Sequence, residues 1–428
     1  MPSAIVTGAT GMTGSAIVHH LVKDSSYDKI YALSRRNPGY QHPKIQHVTL
    51  DLQGSAEDMA HHLRGVSAEY IYFCAYLARD DETELLRVNV ALLHNFLQAL
   101  AVAGADRRIK RFILTCGLKQ YGVHLGQGKQ PFLEDDPLLP DGEGSDSWPP
   151  IFYYEQQRVL ADAAVNSQWE WVVTLPEDVL GYARGNFMNE ATSIGLYCAV
   201  SKALPGSELP FPGSKANYFT FNCWTSANLH AKFCLWAAQA PGAGNHIFNV
   251  INGDTESFQN LWPRLAARFG CTIPNPMFPS GGVPDTKGFK DYESSTIRMQ
   301  NRPPIKARAS SLGLTSDPLV DNSPTLFLQV DPEKWARRAD VKAAWGRLRD
   351  KYHLDQEAWD KATWDFLVLT MGRDWSCVAS MSKARKLGWT GYADTWEELE
   401  DTFQKLEKEG GSAASGAAPT GLLGYSAD

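Results

Sequence analysis

The residues with the clearest chemical potential lie in a few short stretches. Gly8, Gly11 and Gly14 set a GxxGxxG spacing near the N-terminus, and Ser34-Arg35-Arg36 follows downstream. Lys119 and Tyr121 share the segment Gly117-Leu-Lys119-Gln-Tyr121, and Tyr153 and Tyr154 stand side by side. Glycines so spaced let the backbone turn sharply and approach phosphate oxygens, while a helix N-terminus behind them supplies free N–H groups and a partial positive charge. That chemistry is dinucleotide pyrophosphate binding. An arginine pair suits the extra 2′-phosphate of NADP, because a guanidinium forks onto phosphate oxygens where an NAD site would carry Asp or Glu. Asp51-Leu52 falls where such folds hold the adenine edge.

The elements that must position these groups alternate regularly. Ser3–Thr7 reads as a buried strand running straight into the glycines, and Ser15–Val22 as the helix behind them. Further strands are expected at 29–33, 45–50, 70–74, 111–115 and 169–174, with helical periodicity at 85–102 and 154–165. This alternation predicts an α/β fold, a doubly wound parallel Rossmann-type sheet that binds ligands at the strand C-termini, with a smaller, mainly helical C-terminal part for substrate. Residues 134–150 read as a loop, 226–238 and 257–269 as helices around a strand at 246–251, and 332–352 and 356–371 as further helices. The expected organisation is an NADP-binding domain over 1–180, to which the chain returns around 215–255. A mixed substrate-binding and capping part covers 181–408, with an insertion at about 278–325, and a disordered tail covers 409–428.

Bulk properties narrow the partners. A net charge of -7 gives no electrostatic case for nucleic acid or an anionic membrane. The 43% apolar and 21% charged fractions are those of an ordinary globular protein. Seven scattered cysteines without CxxC spacing read as reduced packing residues, so a cytoplasmic location is expected, with neither disulfides nor a metal site. The first strand leaves no room for a signal peptide, and no uninterrupted apolar run approaches the ~20 residues of a membrane span. A small-molecule carbonyl substrate is the expected partner, and a homodimer the assembly considered. His94, His124 and His230 lack metal-ligand spacing and read as packing or surface residues; Glu134-Asp-Asp136 reads as a solvated loop.

Ordinary short-chain reductases donate a proton from the tyrosine of a Tyr-x-x-x-Lys helix motif, whose lysine lowers the tyrosine pKa. Here Gln157 stands four residues after Tyr153 and Arg158 four after Tyr154. A lysine occurs instead at Lys119, after the fifth strand, so tyrosine and lysine come from two segments. In this the chain resembles the progesterone 5-beta-reductase/iridoid synthase-like family, an atypical branch of the short-chain dehydrogenase/reductases. Thr7–Gly14 resembles its glycine loop, Ser34–Arg36 its arginine pair, Gly117–Tyr121 its Gly-x-Lys-x-Tyr segment and Phe152-Tyr-Tyr154 its Asn-Phe-Tyr-Tyr motif. Trp236–Gly270 and Ser380–Gly388 resemble two later stretches.

The resemblance implies that Lys119 and Tyr153 are the functional pair, with Tyr154 the alternative donor. It implies hydride addition to the β-carbon of an α,β-unsaturated carbonyl while the tyrosine hydroxyl holds the carbonyl oxygen. Around the phosphates it places Thr7, Gly8, Thr10, Gly11, Met12 and Gly14. Ser34, Arg35, Arg36, Asp51, Leu52 and Ala75 follow toward the adenosine. Thr115, Cys116, Lys119, Tyr153, Pro176, Val179, Asn186 and Met188 fall at the nicotinamide end. Tyr121, Leu125, Tyr154, Asp178, Cys377 and Met381 would form the substrate pocket. The family's Asn is Ile151 here, and its Pro-Gly-Asn becomes Pro176-Glu177-Asp178. Leu125 and Cys377 stand at wall positions and make the pocket less aromatic, so steroid or iridoid substrates do not carry over. Three functions stand open at this stage: enone reduction, carbonyl reduction or epimerase-type chemistry on the same scaffold, and a non-catalytic NADP-binding regulator. The insertion would cap the pocket or be idle.

Overall fold

The computed structural model describes residues 1–140, 148–165, 167–183, 188–278, 294–300 and 302–410. In chain order its first half runs β1 (Ser3–Thr7), α1 (Met12–Lys23), β2 (Lys29–Ser34), β3 (Ile45–Thr49), α2 (Ala56–His62), β4 (Tyr70–Phe73), α3 (Glu82–Ala103), β5 (Arg111–Thr115), α4 (Phe152–Val165) and β6 (Glu170–Pro176). The two-residue β7 (Val179–Leu180), α5 (Glu190–Ala203), α6 (Lys215–Phe219), β8 (Thr225–Ser226), α7 (Ala227–Gln239), β9 (His246–Val250) and α8 (Phe258–Phe269) follow. The remainder comprises β10 (Ser295–Arg298), α9 (Ala309–Leu312), α10 (Pro318–Asp321), β11 (Thr325–Leu328), α11 (Pro332–Arg337), α12 (Ala339–Tyr352), α13 (Gln356–Asp360), α14 (Trp364–Gly372), α15 (Ser382–Lys386) and α16 (Thr395–Gly410).

Seven strands form one parallel sheet in the order β3-β2-β1-β4-β5-β6-β9. The order reverses between β1 and β4, where a doubly wound sheet opens its ligand crevice. Register keeps the strand ends level: Thr7 pairs with both Leu33 and Phe73. β1, β4 and β5 read as near-continuous apolar runs because helices cover both faces. The expected fold class is the one observed.

Two hydrophobic cores carry the elements. The first joins the sheet to α1, α3 and α7, and residues 377–393 return to it through Cys377, Met381 and Trp389. The second packs α5, α8, α11–α14 and α16 around Tyr197, Trp262, Trp335, Trp345 and Trp359. α3 has the length and apolar content of a membrane-crossing helix, which the reading of apolar runs did not anticipate. Its Leu92 and Phe96 are buried nonetheless, Phe96 against Phe73 of β4 at 5.7 Å between ring centroids.

Other local expectations need correction. The helix expected over 332–352 breaks at Arg338, whose extended backbone (φ -60°, ψ 143°) caps α12. The one expected over 356–371 breaks between α13 and α14. At the end of the insertion, Thr325–Leu328 forms a strand with Leu326 and Leu328 buried that pairs antiparallel with β10, and within the insertion Ile305, Ala309 and Val320 form a small core. Glu134 and Asp136 are pinned, not solvated: Glu134 accepts from the Asn249 amide and Asp136 pairs with Lys129 and Arg308. The tail expectation lies almost entirely outside the described residues.

Candidate functional site

At the crevice the chain turns on its glycines. Gly8 has φ +64°, and a Cβ there would lie 2.8 Å from the Cys74 carbonyl oxygen of the segment leaving β4. A Cβ at Gly14 would lie 2.2 Å from the Gly8 carbonyl oxygen. The loop is thus pressed between β4 and the first turn of α1 as only glycine permits. Gly11 caps α1 without a side chain, so no side-chain oxygen occupies the first-turn N–H groups. These groups open onto a cavity of about 580 Å³. It runs from the glycine loop past the ends of β1, β4, β5 and β6 to the C-terminal turn of α14. The pressed glycines and open helix terminus fit a dinucleotide pyrophosphate.

Most expected cofactor residues line this cavity: Gly8, Thr10, Gly11, Met12 and Gly14 at one end, Ser34, Arg35, Asp51, Leu52 and Ala75 beyond. Thr115, Cys116, Lys119, Tyr153, Pro176, Val179 and Met188 line it further in. Two do not. Thr7 is fully buried, its hydroxyl accepting from the Cys74 amide, and braces the loop from below. Both arginines are exposed, and Arg35 lines the cavity while Arg36 does not. Asn186 lies outside the described residues.

Lys119 sits on a 3₁₀ turn, Leu118–Tyr121, directly after Gly117. Tyr153 is the second residue of α4, its ring packed on Phe152 with centroids 4.3 Å apart. A Cβ at Gly117 would meet the Tyr153 hydroxyl at 3.2 Å and the Pro176 carbonyl oxygen at 3.4 Å, so lysine turn, tyrosine and the end of β6 converge. Burial, then the neighbouring Cys116, pushes the Tyr153 phenol well above its ordinary range. Burial lowers the Lys119 ammonium pKa, opposed by Glu177, Asp178 and Glu82. Tyr154 is engaged elsewhere: its hydroxyl donates to the Gln120 carbonyl at 2.7 Å and accepts from the Leu139 amide. Gln157, where the usual lysine would stand, donates to Gln120 at 2.8 Å.

The residues expected at the substrate wall are separated in the structure. Asp178 lines the cavity, but Tyr121, Leu125, Tyr154, Cys377 and Met381 do not. Tyr121 donates to Asn249 and stacks flat on Phe132 at 4.7 Å, Leu125 is buried, and Met381 packs beneath the Ile251 amide. Cys377 lies one layer back, its thiol donating to Glu177 Oε1 at 2.9 Å. The described part of the insertion does not cap this cavity. Pro304, Ala307 and Arg308 line a separate cleft of about 240 Å³.

Other residues that line the cavity were not assigned to the site from the sequence, His124 among them having been read as a packing or surface residue. Phe366, Leu369, Thr370 and Arg373 enter from α14 and its end, and Tyr76, Leu77 and His124 from the sheet side. Arg373 forks across Glu177 (3.1 Å) and Asp178 (2.6 Å), all three nearly buried. Asp178 adopts φ +28°, the kind of strained backbone that concentrates at functional sites. His124 is held neutral: burial, and secondarily the Lys119 charge, lowers it to about 3. Glu177 stood next to a motif and was findable; nothing local marked Arg373.

Residues 4–293 match the model of the PRISE-like Rossmann-fold domain. An uncharacterized protein of Schizosaccharomyces pombe is 34% identical over 411 residues, covering 95% of this chain and 97% of that one. A short chain dehydrogenase of Penicillium aethiopicum is 27% identical over 420 residues, covering 95% and 98%. The 3-oxo-Delta(4,5)-steroid 5-beta-reductase of Arabidopsis thaliana is 29% identical over 280 residues, covering 62% and 69%. Among solved structures, UDP-glucose 4-epimerase of Thermotoga maritima superposes with a TM-score of 0.57 at 15% identity, covering 94% and 99%, a likeness of fold.

Proposed function

The chain belongs to the PRISE-like Rossmann-fold family and is an oxidoreductase of the short-chain dehydrogenase/reductase type; from that premise we propose that it reduces a C=C bond conjugated to a carbonyl in an apolar small molecule, using NADPH. The observation that carries this reading is the convergence of Tyr153, Lys119 and the glycine loop on one cavity without a Tyr-x-x-x-Lys helix. Arg35 at the cavity edge supports NADP over NAD, since a guanidinium pairs with a 2′-phosphate. The steroid 5-beta-reductase relative supports the enone chemistry. Seven free cysteines support a reducing, cytoplasmic setting.

NADPH, when bound, supplies hydride to the β-carbon. The protein does the rest. The glycine loop and the α1 terminus hold the pyrophosphate, and Gly117 leaves room for the Tyr153 hydroxyl. That hydroxyl donates to the carbonyl oxygen as negative charge develops there, and burial keeps it protonated for the task. Lys119 adds positive potential beside it. Phe366, Leu369, Tyr76 and Leu77 supply the apolar wall.

The test is NADPH oxidation against a panel of enals, enones and saturated ketones, with product identification and Tyr153→Phe as control. Turnover of enones to saturated carbonyls, lost in the variant, is the expected result. Reduction of saturated ketones would replace the reading with carbonyl reduction, and tight NADPH binding without turnover would favour a regulator.

A further inference from the structure

Addition of hydride to an enone leaves half the reaction undone. The β-carbon gains its hydrogen, the π pair moves to the carbonyl side, and the resulting enolate still needs a proton at its α-carbon. Tyr153 is committed to the oxygen. We propose, on the enone-reductase reading, that Glu177 is held as a neutral carboxylic acid in the cavity wall and delivers this second proton.

The geometry supports it. Glu177 and Asp178 are consecutive, nearly buried carboxyls served by one guanidinium, Arg373, whose shorter contact is to Asp178 (2.6 Å against 3.1 Å). The guanidinium divides its two terminal nitrogens between the carboxyls, Nη1 to Glu177 and Nη2 to Asp178, and its buried Nε makes no hydrogen bond to a described residue. Glu177 Oε1 is taken by Arg373 and by the Cys377 thiol. Oε2 receives no hydrogen bond from a described residue, and the side chain lines the cavity with Tyr153 and Lys119. The backbone is pinned by the Glu177 amide donating to Thr225 Oγ1 at 2.9 Å, so the carboxyl is held at a fixed position. A third buried carboxyl, Glu190, also faces Arg373 and is itself pushed up to about 8 by burial and then by Asp178, so one guanidinium is shared among three carboxyls, and such a cluster settles by protonating some of its members. The groups facing Glu177 are divided. Burial, Asp178 and Cys377 push its carboxyl well above the ordinary range against the pull of Arg373, and the Lys119 cation across the cavity pulls with Arg373, while the Tyr153 phenol is a further neighbour.

The step balances. The enolate C=C pair takes the Glu177 proton to form the α C–H bond, the acid O–H bond breaks, and the carbonyl re-forms as its oxygen stays hydrogen-bonded to Tyr153. The carboxylate left on Glu177 is momentarily paired with Arg373 and is reprotonated from water.

The experiment uses an α-methyl enone with NADPH deuterated at the transferred position, and in parallel with NADPH in D₂O, read by NMR. The parent protein should place deuteride at the β-carbon and solvent deuterium on one face of the α-carbon. Glu177→Gln should still place deuteride at the β-carbon, but with solvent deuterium on both α-faces and saturated product forming about 10²-fold more slowly, the scale of a lost general acid. A single α-face at the parental rate in Glu177→Gln overturns the proposal, as does a mixture from the parent. Should Glu177→Gln fail to fold, Glu177→Asp keeps an acid one methylene short. It should retain the face and lose rate, and an unchanged rate overturns the assignment. A parent that places no deuteride at the β-carbon of any enone sinks the enone-reductase reading itself, and this inference with it.

Discussion

The Tyr153 hydroxyl lies against the α-carbon of Gly117, so near that a methyl group there would sit 3.2 Å from it. Gly117 has extended backbone (φ 176°, ψ 175°), so alanine strains nothing in the chain itself and acts only through space. Gly117→Ala should displace the hydroxyl by a few tenths of an ångström to about 1 Å while leaving the fold intact. Enone turnover should fall by about 10- to 10²-fold, the scale of small misplacements at a reacting centre. NADPH affinity and melting temperature should change little. Parallel kinetics and cofactor titration check this, and equal losses in both would mean the glycine serves the cofactor instead.

Lys119 sets an alkaline limit. Its ammonium pKa lies below the ordinary 10.5, with burial the largest cause, and a cation is lost as pH rises through its pKa. Tyr153 is pushed the other way and stays protonated. The pH profile of kcat/KM should therefore fall on its alkaline side below pH 10.5 through Lys119, not Tyr153. Lys119→Ala should lower the plateau by about 10²-fold and abolish that limb. A limb that persists in the variant assigns it elsewhere.

Arg35 and Arg36 should behave unequally although they are neighbours. Only Arg35 lines the cavity. Arg35→Ala should raise the KM for NADPH by about 10- to 10²-fold, as one charge-assisted hydrogen bond is worth about 1.5–3 kcal/mol, with little change for NADH. Arg36→Ala should leave both within about twofold. Steady-state titration of the two cofactors decides it; the reverse ranking would mean the turn rearranges around the bound phosphate.

How far such effects could be read from the chain depends on distance along it. The glycine loop was legible because strand, turn and helix are consecutive and each glycine has a local reason. The preference for Tyr153 over Tyr154 rested on a motif; in the structure Tyr153 lines the cavity while the Tyr154 hydroxyl bonds the Gln120 carbonyl. Arg373 was not legible at all. Its partners Glu177 and Asp178 are 196 and 195 residues away, and no periodicity encodes a contact between a helix end and a strand end so far apart. Tyr121 misled for the complementary reason. It shares a segment with Lys119, yet the 3₁₀ turn sends it to Asn249 and Phe132 on the other side.

The Arg373 fork should matter more for stability than any surface pair. Removing one partner of a buried ion pair leaves an uncompensated charge and costs about 3–5 kcal/mol. Arg373→Met should approach that value in urea unfolding, whereas Arg87→Met, whose Glu84 pair is solvent-exposed, should leave the unfolding midpoint nearly unchanged. Equal losses in the two variants would mean that the buried fork holds the fold no better than a surface pair does.

His230 makes the fold acid-sensitive. It is fully buried between Thr174 and Cys234, and burial lowers it from 6.5 to about 4. The folded pKa is the depressed one, so between pH 4 and pH 6.5 the unfolded chain binds a proton that the native one does not. Stability therefore rises with pH across that window, is complete above 6.5, and is lost as pH falls toward 4. At 1.36 kcal/mol per unit the full swing is about 3 kcal/mol. His230→Gln can still bond Thr174 but carries no titrating group. It should be less stable at pH 7 and should flatten the slope of unfolding free energy between pH 6.5 and 4.5 by close to one proton. An unchanged slope would show that His124, lowered to about 3, and the carboxylates account for the acid response without His230.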